Sequence, residues 1–146
     1  MRKRISLLVV ILISNVIISC QNKKSNDGKD HYSNLEKERI EYAKTLSNKI
    51  LTAQKNGGFY NLSEKEASLK MINGLNESLQ KASYKQIKSI FGDYKSLEFE
   101  SLVQTKYKVY RFKGNFESNS NVEIRTVLNS KGKLEGFFIK PWKAAL

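Results

Sequence analysis

The sequence is poor in the residue types on which many active sites depend. It contains one cysteine, one histidine and one proline in 146 residues. A single cysteine excludes an internal disulfide, and the only histidine, His31, precedes the predicted folded region, so that region has no Ser-His-Asp or Cys-His set. The sequence also lacks a glycine-rich phosphate-binding loop and a metal-binding motif. We therefore predict no cofactor, no metal and no catalytic residue.

The first 20 residues carry the clearest signal. Three basic residues at positions 2–4 precede an apolar run over residues 5–18. This is the pattern of a secretory signal peptide, and the run is shorter than the roughly 20 residues that a membrane-spanning helix needs. It ends in Ile17-Ile18-Ser19-Cys20, which resembles the lipobox of bacterial lipoproteins.

The lipobox resemblance implies how the chain is processed and where it is held. Residues 1–19 are expected to be cleaved off as a signal peptide, and a diacylglyceryl group is expected on the sulfur of Cys20. Acylation of the new amino terminus would add a further chain, and two or more acyl chains anchor a protein stably. We therefore expect a protein of the cell envelope that is anchored through Cys20 to a bacterial membrane, either inner or outer.

Residues 20–32 connect this anchor to the rest of the chain. They are almost all polar, so we expect a flexible tether. The net charge of +12 favours anionic partners such as phospholipid head groups, although the lysines are scattered as on an ordinary solvated surface. We exclude nucleic acid as a partner because the chain carries an export signal.

The region after the tether shows the spacing of three helices. A capping box at Ser33 begins the first, which ends at Gly57-Gly58. Similar start signals begin a second helix at Ser63 and a short third helix at Ser83, which ends at Gly92. Apolar residues at helical spacing predict the buried stripes of the first two helices: Leu35, Ala43, Leu46, Ile50 and Ala53, then Ala67, Met71, Ile72, Leu75 and Leu79.

The hydrophobic period then changes from about 3.6 to 2, which predicts strands. Leu97, Phe99, Ser101 and Val103 form the predicted inner face of the first strand, and Pro141 ends the last one because proline cannot donate to a ladder. Short turns between the strands predict an antiparallel meander. The four predicted strands cover residues 97–103, 107–112 with an extension to 116, 122–129 and 134–139.

Opposite charges stand on neighbouring predicted strands. Arg111 and Arg125 alternate with inward apolar residues, so they lie on the polar face of the sheet. We expect them to make cross-strand contacts with Glu123 or Glu98.

Three motifs resemble a known family. They are residues 86–92 (Gln-Ile-Lys-Ser-Ile-Phe-Gly), 110–116 (Tyr-Arg-Phe-Lys-Gly-Asn-Phe) and 132–138 (Gly-Lys-Leu-Glu-Gly-Phe-Phe). The chain thereby resembles domain of unknown function 3887, within the nuclear transport factor 2-like cone folds. The resemblance covers roughly residues 35–142. Together with the predicted order of helices and strands it implies a single α+β domain over residues 33–146, in which three N-terminal helices pack on a four-stranded antiparallel meander that curves into a cone. It transfers no catalytic residue.

A cone of this kind can hold a small apolar ligand near its open end. The side chains expected to line such a pocket are Phe91, Tyr107, Phe138 and Trp142, because an apolar body with a polar tip suits a pocket mouth. The same side chains could instead fill the cone, and both alternatives stay open.

These observations favour a non-catalytic domain that binds a small apolar ligand or a partner protein. Two other functions stay open. One is a small isomerase- or hydrolase-like enzyme that pairs Asp93 with Tyr84, Tyr107 or Tyr110 as base and donor. The other is an exported protein that neutralises an antagonist.

Overall fold

The computed structural model of the protein describes residues 32–118 and 122–142. The predicted signal peptide, Cys20, most of the tether and His31 lie outside the described residues. The elements are α1 (Asn34–Lys55), α2 (Leu69–Gly74), α3 (Glu77–Phe91), β1 (Tyr94–Gln104), β2 (Lys108–Phe116), β3 (Val122–Leu128) and β4 (Leu134–Pro141). The α+β class is confirmed. None of the described helices is long and apolar enough to cross a membrane.

The four strands form one sheet in the order β1-β2-β3-β4, and every neighbouring pair is antiparallel. The predicted meander is therefore confirmed. Gly132 has a φ of 77°, so the turn between β3 and β4 contains the left-handed residue that its sequence predicts. Pro141 is the last residue of β4, as expected from its missing N–H.

Helix α1 begins and ends where its capping signals predict. The Ser33 side chain accepts a hydrogen bond from the Glu36 amide, and the Glu36 carboxylate accepts one from the Ser33 amide. At the other end Gly57 has a φ of 79°. Ala43, Leu46 and Ile50 are buried as predicted. Leu35 is 59% exposed, because this first-turn residue lies at the end of the sheet.

The predicted bounds of the second and third helices were wrong. Ser63 and Glu66 do exchange hydrogen bonds, but the next residues pair with β4: the Leu134 amide donates to the Glu66 carbonyl, and the Ser68 amide donates to the Leu134 carbonyl. An extended segment cannot continue a helix, so α2 begins only after Ser68. Asn76 then caps α3, seven residues before the predicted cap at Ser83.

The predicted inner face of β1 is correct only as far as Phe99. A register shift follows, so that Leu102 lies opposite Tyr110 and Ser101 lies opposite Arg111. Leu102 therefore packs against the core, whereas Ser101 and Val103 take the other face. A β-bulge inserts one residue and exchanges the two faces of the strand beyond it.

The helices cover one face of the sheet, which we call the inner face. Helix α1 contacts β1, β2 and β3, and α2 contacts β4. The core between the two layers is apolar. Its members include Leu46, Ile50, Leu51, Tyr110, Phe112, Phe116, Ile124, Leu128 and Leu134, each with at most 2% of its surface exposed.

Candidate functional site

The opposite face of the sheet, here called the outer face, carries a charged cluster at its centre. Glu123 on β3 is completely buried, yet its Oε1 atom lies 2.6 Å from Nε of Arg111 on β2 and 2.6 Å from Nε of Arg125. Its Oε2 atom lies 3.7 Å from Nζ of Lys140 on β4. Three cations from three strands therefore meet at one carboxylate. The predicted contacts of Arg111 and Arg125 with Glu123 are confirmed.

The pKa of Glu123 is set by two opposing effects. Burial raises the pKa of this carboxyl, but the hydrogen bonds from Arg111 and Arg125 outweigh burial and lower the pKa below its ordinary value. Glu123 is therefore ionised at neutral pH. It neutralises one positive charge of the cluster, and the described members Arg111, Arg125 and Lys140 carry three.

Two aromatic side chains extend this cluster into a mixed basic and apolar surface. The ring of Trp142 lies 4.9 Å from Cζ of Arg111 and 5.8 Å from Nζ of Lys113, distances typical of cation–π contacts. Phe138, opposite Arg125 in the β3–β4 register, is 55% exposed. The outer face thus offers cations, an indole and a phenyl ring side by side.

Phe138 also lines a shallow groove of about 320 Å³ on the outer face. Tyr107, Val109, Val127 and Gly136 contribute to its apolar lining, and Lys70 and Glu135 stand at its sides. The groove is open to solvent and lies near the turns that precede β2 and β4.

The four residues predicted to line a pocket are only partly brought together. Tyr107 and Phe138 share the outer-face groove. Trp142 lies over Arg111 on the same face, whereas Phe91 packs at the end of α3 with its ring centroid 6.0 Å from that of Phe116. No described groove contains all four.

Exposure of Phe138 leads to a prediction about stability. Replacing Phe138 with alanine should change the free energy of unfolding by about 0.5 kcal/mol or less, because a side chain that is more than half exposed loses little burial. Replacing the fully buried Phe112 with alanine is the matched control and should cost about 3–5 kcal/mol. Urea unfolding of the two variants checks this. A large loss for Phe138 would mean that it packs against other parts of the chain.

Asp93 and Tyr84, the pair predicted as base and donor of an enzyme, do contact each other, but their hydrogen bonds hold the structure together. The Tyr84 hydroxyl donates to Asp93 Oδ1 at 3.2 Å and accepts from the Tyr94 amide at 3.0 Å. Lys88 Nζ lies 2.9 Å from Asp93 Oδ2 and lowers the pKa of that carboxyl, and burial raises the pKa of the Tyr84 hydroxyl. A low pKa makes Asp93 a weak base. The pair ties the end of α3 to the start of β1.

Buried polar groups elsewhere on the inner face also serve packing. Ser47 Oγ lies 2.5 Å from Thr126 Oγ1 and donates to the Ala43 carbonyl at 2.7 Å, which joins α1 to β3. Tyr110 is fully buried, and burial raises the pKa of its hydroxyl. Within residues 32–118 and 122–142, no three His, Cys, Asp or Glu side chains are grouped as a metal site would need.

Two features of the outer face were not foreseen from the sequence. Alternation along β3 placed Glu123 and Arg125 on the polar face, but nothing local indicated that Glu123 would be fully buried there. The stacking of Trp142 on Arg111 joins the end of β4 to the middle of β2, and it depends on the strand order. The available signal was the set of basic residues on the polar faces of the predicted strands, at positions 111, 113 and 125.

No family model, no curated protein and no solved structure matches the chain.

Proposed function

We propose that this protein is a lipid-anchored domain of the bacterial cell envelope that binds a partner protein through the outer face of its sheet and catalyses no reaction. The observation that carries this proposal is the surface formed by Lys113, Arg125, Lys140, Phe138 and Trp142. A sheet face that the described helices leave uncovered, and that combines cations with the half-buried Trp142 and the exposed Phe138, has the composition of a protein interface rather than that of a solvated surface.

The chemistry of this surface defines the partner. Cations arranged around apolar rings fit a partner with carboxylates around an apolar patch, because complementary charges steer association and the rings supply contact area. The apolar core favours this surface over an enclosed ligand site, since the buried side chains of Tyr110, Phe112 and Phe116 lie between helices and sheet. The nuclear transport factor 2-like cone is accordingly proposed in its filled form.

The anchor is proposed from the lipobox resemblance of Ile17-Ile18-Ser19-Cys20. Replacing Cys20 with alanine should abolish incorporation of radiolabelled fatty acid and release the protein from the membrane fraction, because the thiol is the acceptor of the lipid. Ser19→Ala is the matched control. It should leave labelling intact, because the residue before Cys20 stays small. Unchanged labelling of the Cys20 variant would overturn the anchor.

The partner surface is tested by site-specific cross-linking in cells. A photoreactive residue at Phe138 should yield a discrete cross-linked product, and one at Ile90 should not, although Ile90 on α3 is 66% exposed. Neutralising the two cations with Lys113→Gln and Lys140→Gln should lower the yield at Phe138 at least about fivefold, the effect of about 1 kcal/mol. Equal yields at the two positions, or indifference to the charges, would contradict the proposal.

A further inference from the structure

A second basic groove lies at the end of the domain where the chain enters α1. It has a volume of about 350 Å³ and is formed by three separate segments: the first turns of α1, the β1–β2 turn and the β3–β4 turn. We call it the entry groove. Its lining residues are Leu35, Arg39, Gln104, Thr105, Lys106, Tyr107, Lys108, Asn129 and Ser130.

The described lining of the entry groove is basic. Arg39, Lys106 and Lys108 supply three cations, and no aspartate or glutamate is among the lining residues that the structure describes. The adjacent Glu36 is already engaged, because its carboxylate caps α1 and accepts a hydrogen bond from Gln104 at 3.1 Å. Glu36 also lies 3.7 Å from Lys108 Nζ, so it offsets one of the three charges.

Exposed apolar side chains border these cations. Leu35 is 59% exposed and Tyr107 is 36% exposed. Lys106 Nζ lies 5.7 Å from the centroid of the Tyr107 ring. Cations, an aliphatic side chain and a tyrosine together are typical of surfaces that rest in the head-group region of a bilayer.

The hydrogen bonds of the neighbouring turn hold further lysines at this end. Asn129 Oδ1 accepts from the amides of Lys131 and Lys133 at 3.0 and 3.1 Å, and the Asn129 amide donates to the Lys133 carbonyl at 2.9 Å. This bonding fixes the backbone of the β3–β4 turn beside the groove. The lysine at position 131 is exposed there.

The groove lies beside the point at which the chain enters the domain from the proposed anchor at Cys20. Ser33 caps α1 directly beside Leu35, and only 12 residues separate Ser33 from Cys20. Such a segment spans at most about 40 Å. Helix α1 is 22 residues, or about 33 Å, long, so its other end lies far from the point at which the chain enters the domain.

We propose that the entry groove docks on the anionic phospholipid head groups of the bilayer that holds the Cys20 lipid, with phosphate oxygens against Arg39, Lys106 and Lys108. This inference rests on the proposed lipid anchor. It gives the domain a defined orientation: the entry groove faces the bilayer, and the start of β1 and the end of β4 point away from it.

The test uses the full mature chain, extracted from membranes and reconstituted in vesicles of phosphatidylglycerol with phosphatidylcholine, or of phosphatidylcholine alone. Lysine acetylation is followed residue by residue by mass spectrometry. Lys106, Lys108 and Lys131 should react at least about fivefold more slowly in the anionic vesicles, and about 1 M salt should abolish the difference, since the Debye length is then about 3 Å. Lys85 and Lys95, exposed at the opposite end, should react equally in both.

Two variants with the same change of charge separate the groove from net charge. Arg39→Gln with Lys106→Gln should remove the protection of Lys108 and Lys131, whereas Lys85→Gln with Lys95→Gln should leave it unchanged. Equal loss in both variants would overturn the groove as the docking site. Protection that is the same in both vesicle types would overturn head-group charge as its cause, and protection already present in detergent would assign the surface to a second copy of the chain.

The intact mass of the extracted chain distinguishes failure of the anchor from failure of the docking. A mass without acyl groups overturns the proposed anchor and this inference with it. A lipidated mass with uniform lysine reactivity overturns only the docking and leaves the anchor in place.

Discussion

Replacing Glu123 with glutamine should lower the free energy of unfolding by about 3–5 kcal/mol, the cost of removing one partner from a buried ion pair. The side chain is fully buried and lies within 2.6 Å of two guanidinium nitrogen atoms. The neutral amide keeps the volume of the carboxylate, so the loss measures charge rather than packing. Urea unfolding followed by circular dichroism gives the value.

The reason for so large an effect is the number of cations that depend on this one carboxylate. Arg111, Arg125 and Lys140 are drawn together from three strands, and the carboxylate of Glu123 offsets their mutual repulsion at the centre of the cluster. Burial strengthens that repulsion because water screens it poorly there. The glutamine variant leaves the cations in place without their shared counter-ion.

Two comparisons establish that the pairing is the cause. Glu98→Gln makes the same chemical change on an exposed position of the same sheet and should cost about 0.5 kcal/mol or less. Adding Arg125→Gln to Glu123→Gln should restore part of the lost stability, because one unbalanced charge is removed. Additive losses in the double variant would mean that the two side chains stabilise the sheet independently.

The same carboxylate predicts how stability depends on pH. Because the folded-state pKa of Glu123 is lowered below 4.5, its contribution is complete above about pH 4.5 and is lost as the pH falls through the folded value. The wild-type chain should therefore lose stability in acid more steeply than Glu123→Gln. Equal slopes of the two proteins between about pH 5 and 3 would contradict the lowered pKa.

Local signals correctly predicted the bounds of α1, the β3–β4 turn and the end of β4. The capping box at Ser33, the left-handed Gly57 and Gly132, and the terminal Pro141 each act within a few residues of themselves, so their effects follow from sequence. The second helix was predicted too early because the pairing of residues 66–68 with Leu134 joins segments far apart in the chain. No local pattern contains that information.

The candidate sites were predicted less well for the same reason. A pocket needs side chains from several elements, and the β-bulge after Phe99 and the order of the strands decide which face each one takes. The sequence correctly predicted that Arg111 and Arg125 contact Glu123. It did not show that Arg39 lies in one groove with Lys106 and Lys108, because Arg39 is about 70 positions from the two lysines.

Gln80 is the second residue whose replacement should have a large effect, and its sequence context does not reveal it. It lies on α3 in a run of polar residues, yet none of its surface is exposed. Its Oε1 atom accepts from the Tyr60 amide at 2.9 Å, and its Nε2 atom donates to the carbonyls of Tyr60 at 2.9 Å and Leu75 at 2.7 Å. One side chain thus satisfies three backbone groups.

Replacing Gln80 with leucine should lower the free energy of unfolding by about 3–5 kcal/mol, since each buried backbone group left without a partner costs about 1–3 kcal/mol. Leucine has a similar size, so no large cavity contributes. Gln86→Leu, on an exposed position of the same helix, is the matched control and should cost about 0.5 kcal/mol or less. Hydrogen exchange of the Tyr60 amide should quicken in the Gln80 variant alone.

Gln80→Glu separates hydrogen bonding from volume. The ionised carboxylate can accept from the Tyr60 amide but cannot donate to the two carbonyls, whereas the protonated acid regains one donor. Burial beside carbonyl oxygens should raise the pKa of this new carboxyl, so the variant should approach the wild-type stability as the pH falls through that raised value. A deficit independent of pH would contradict a role for the two donated hydrogen bonds. The connection between α1 and α2 would then be held in place by packing of its apolar residues, Leu62 foremost.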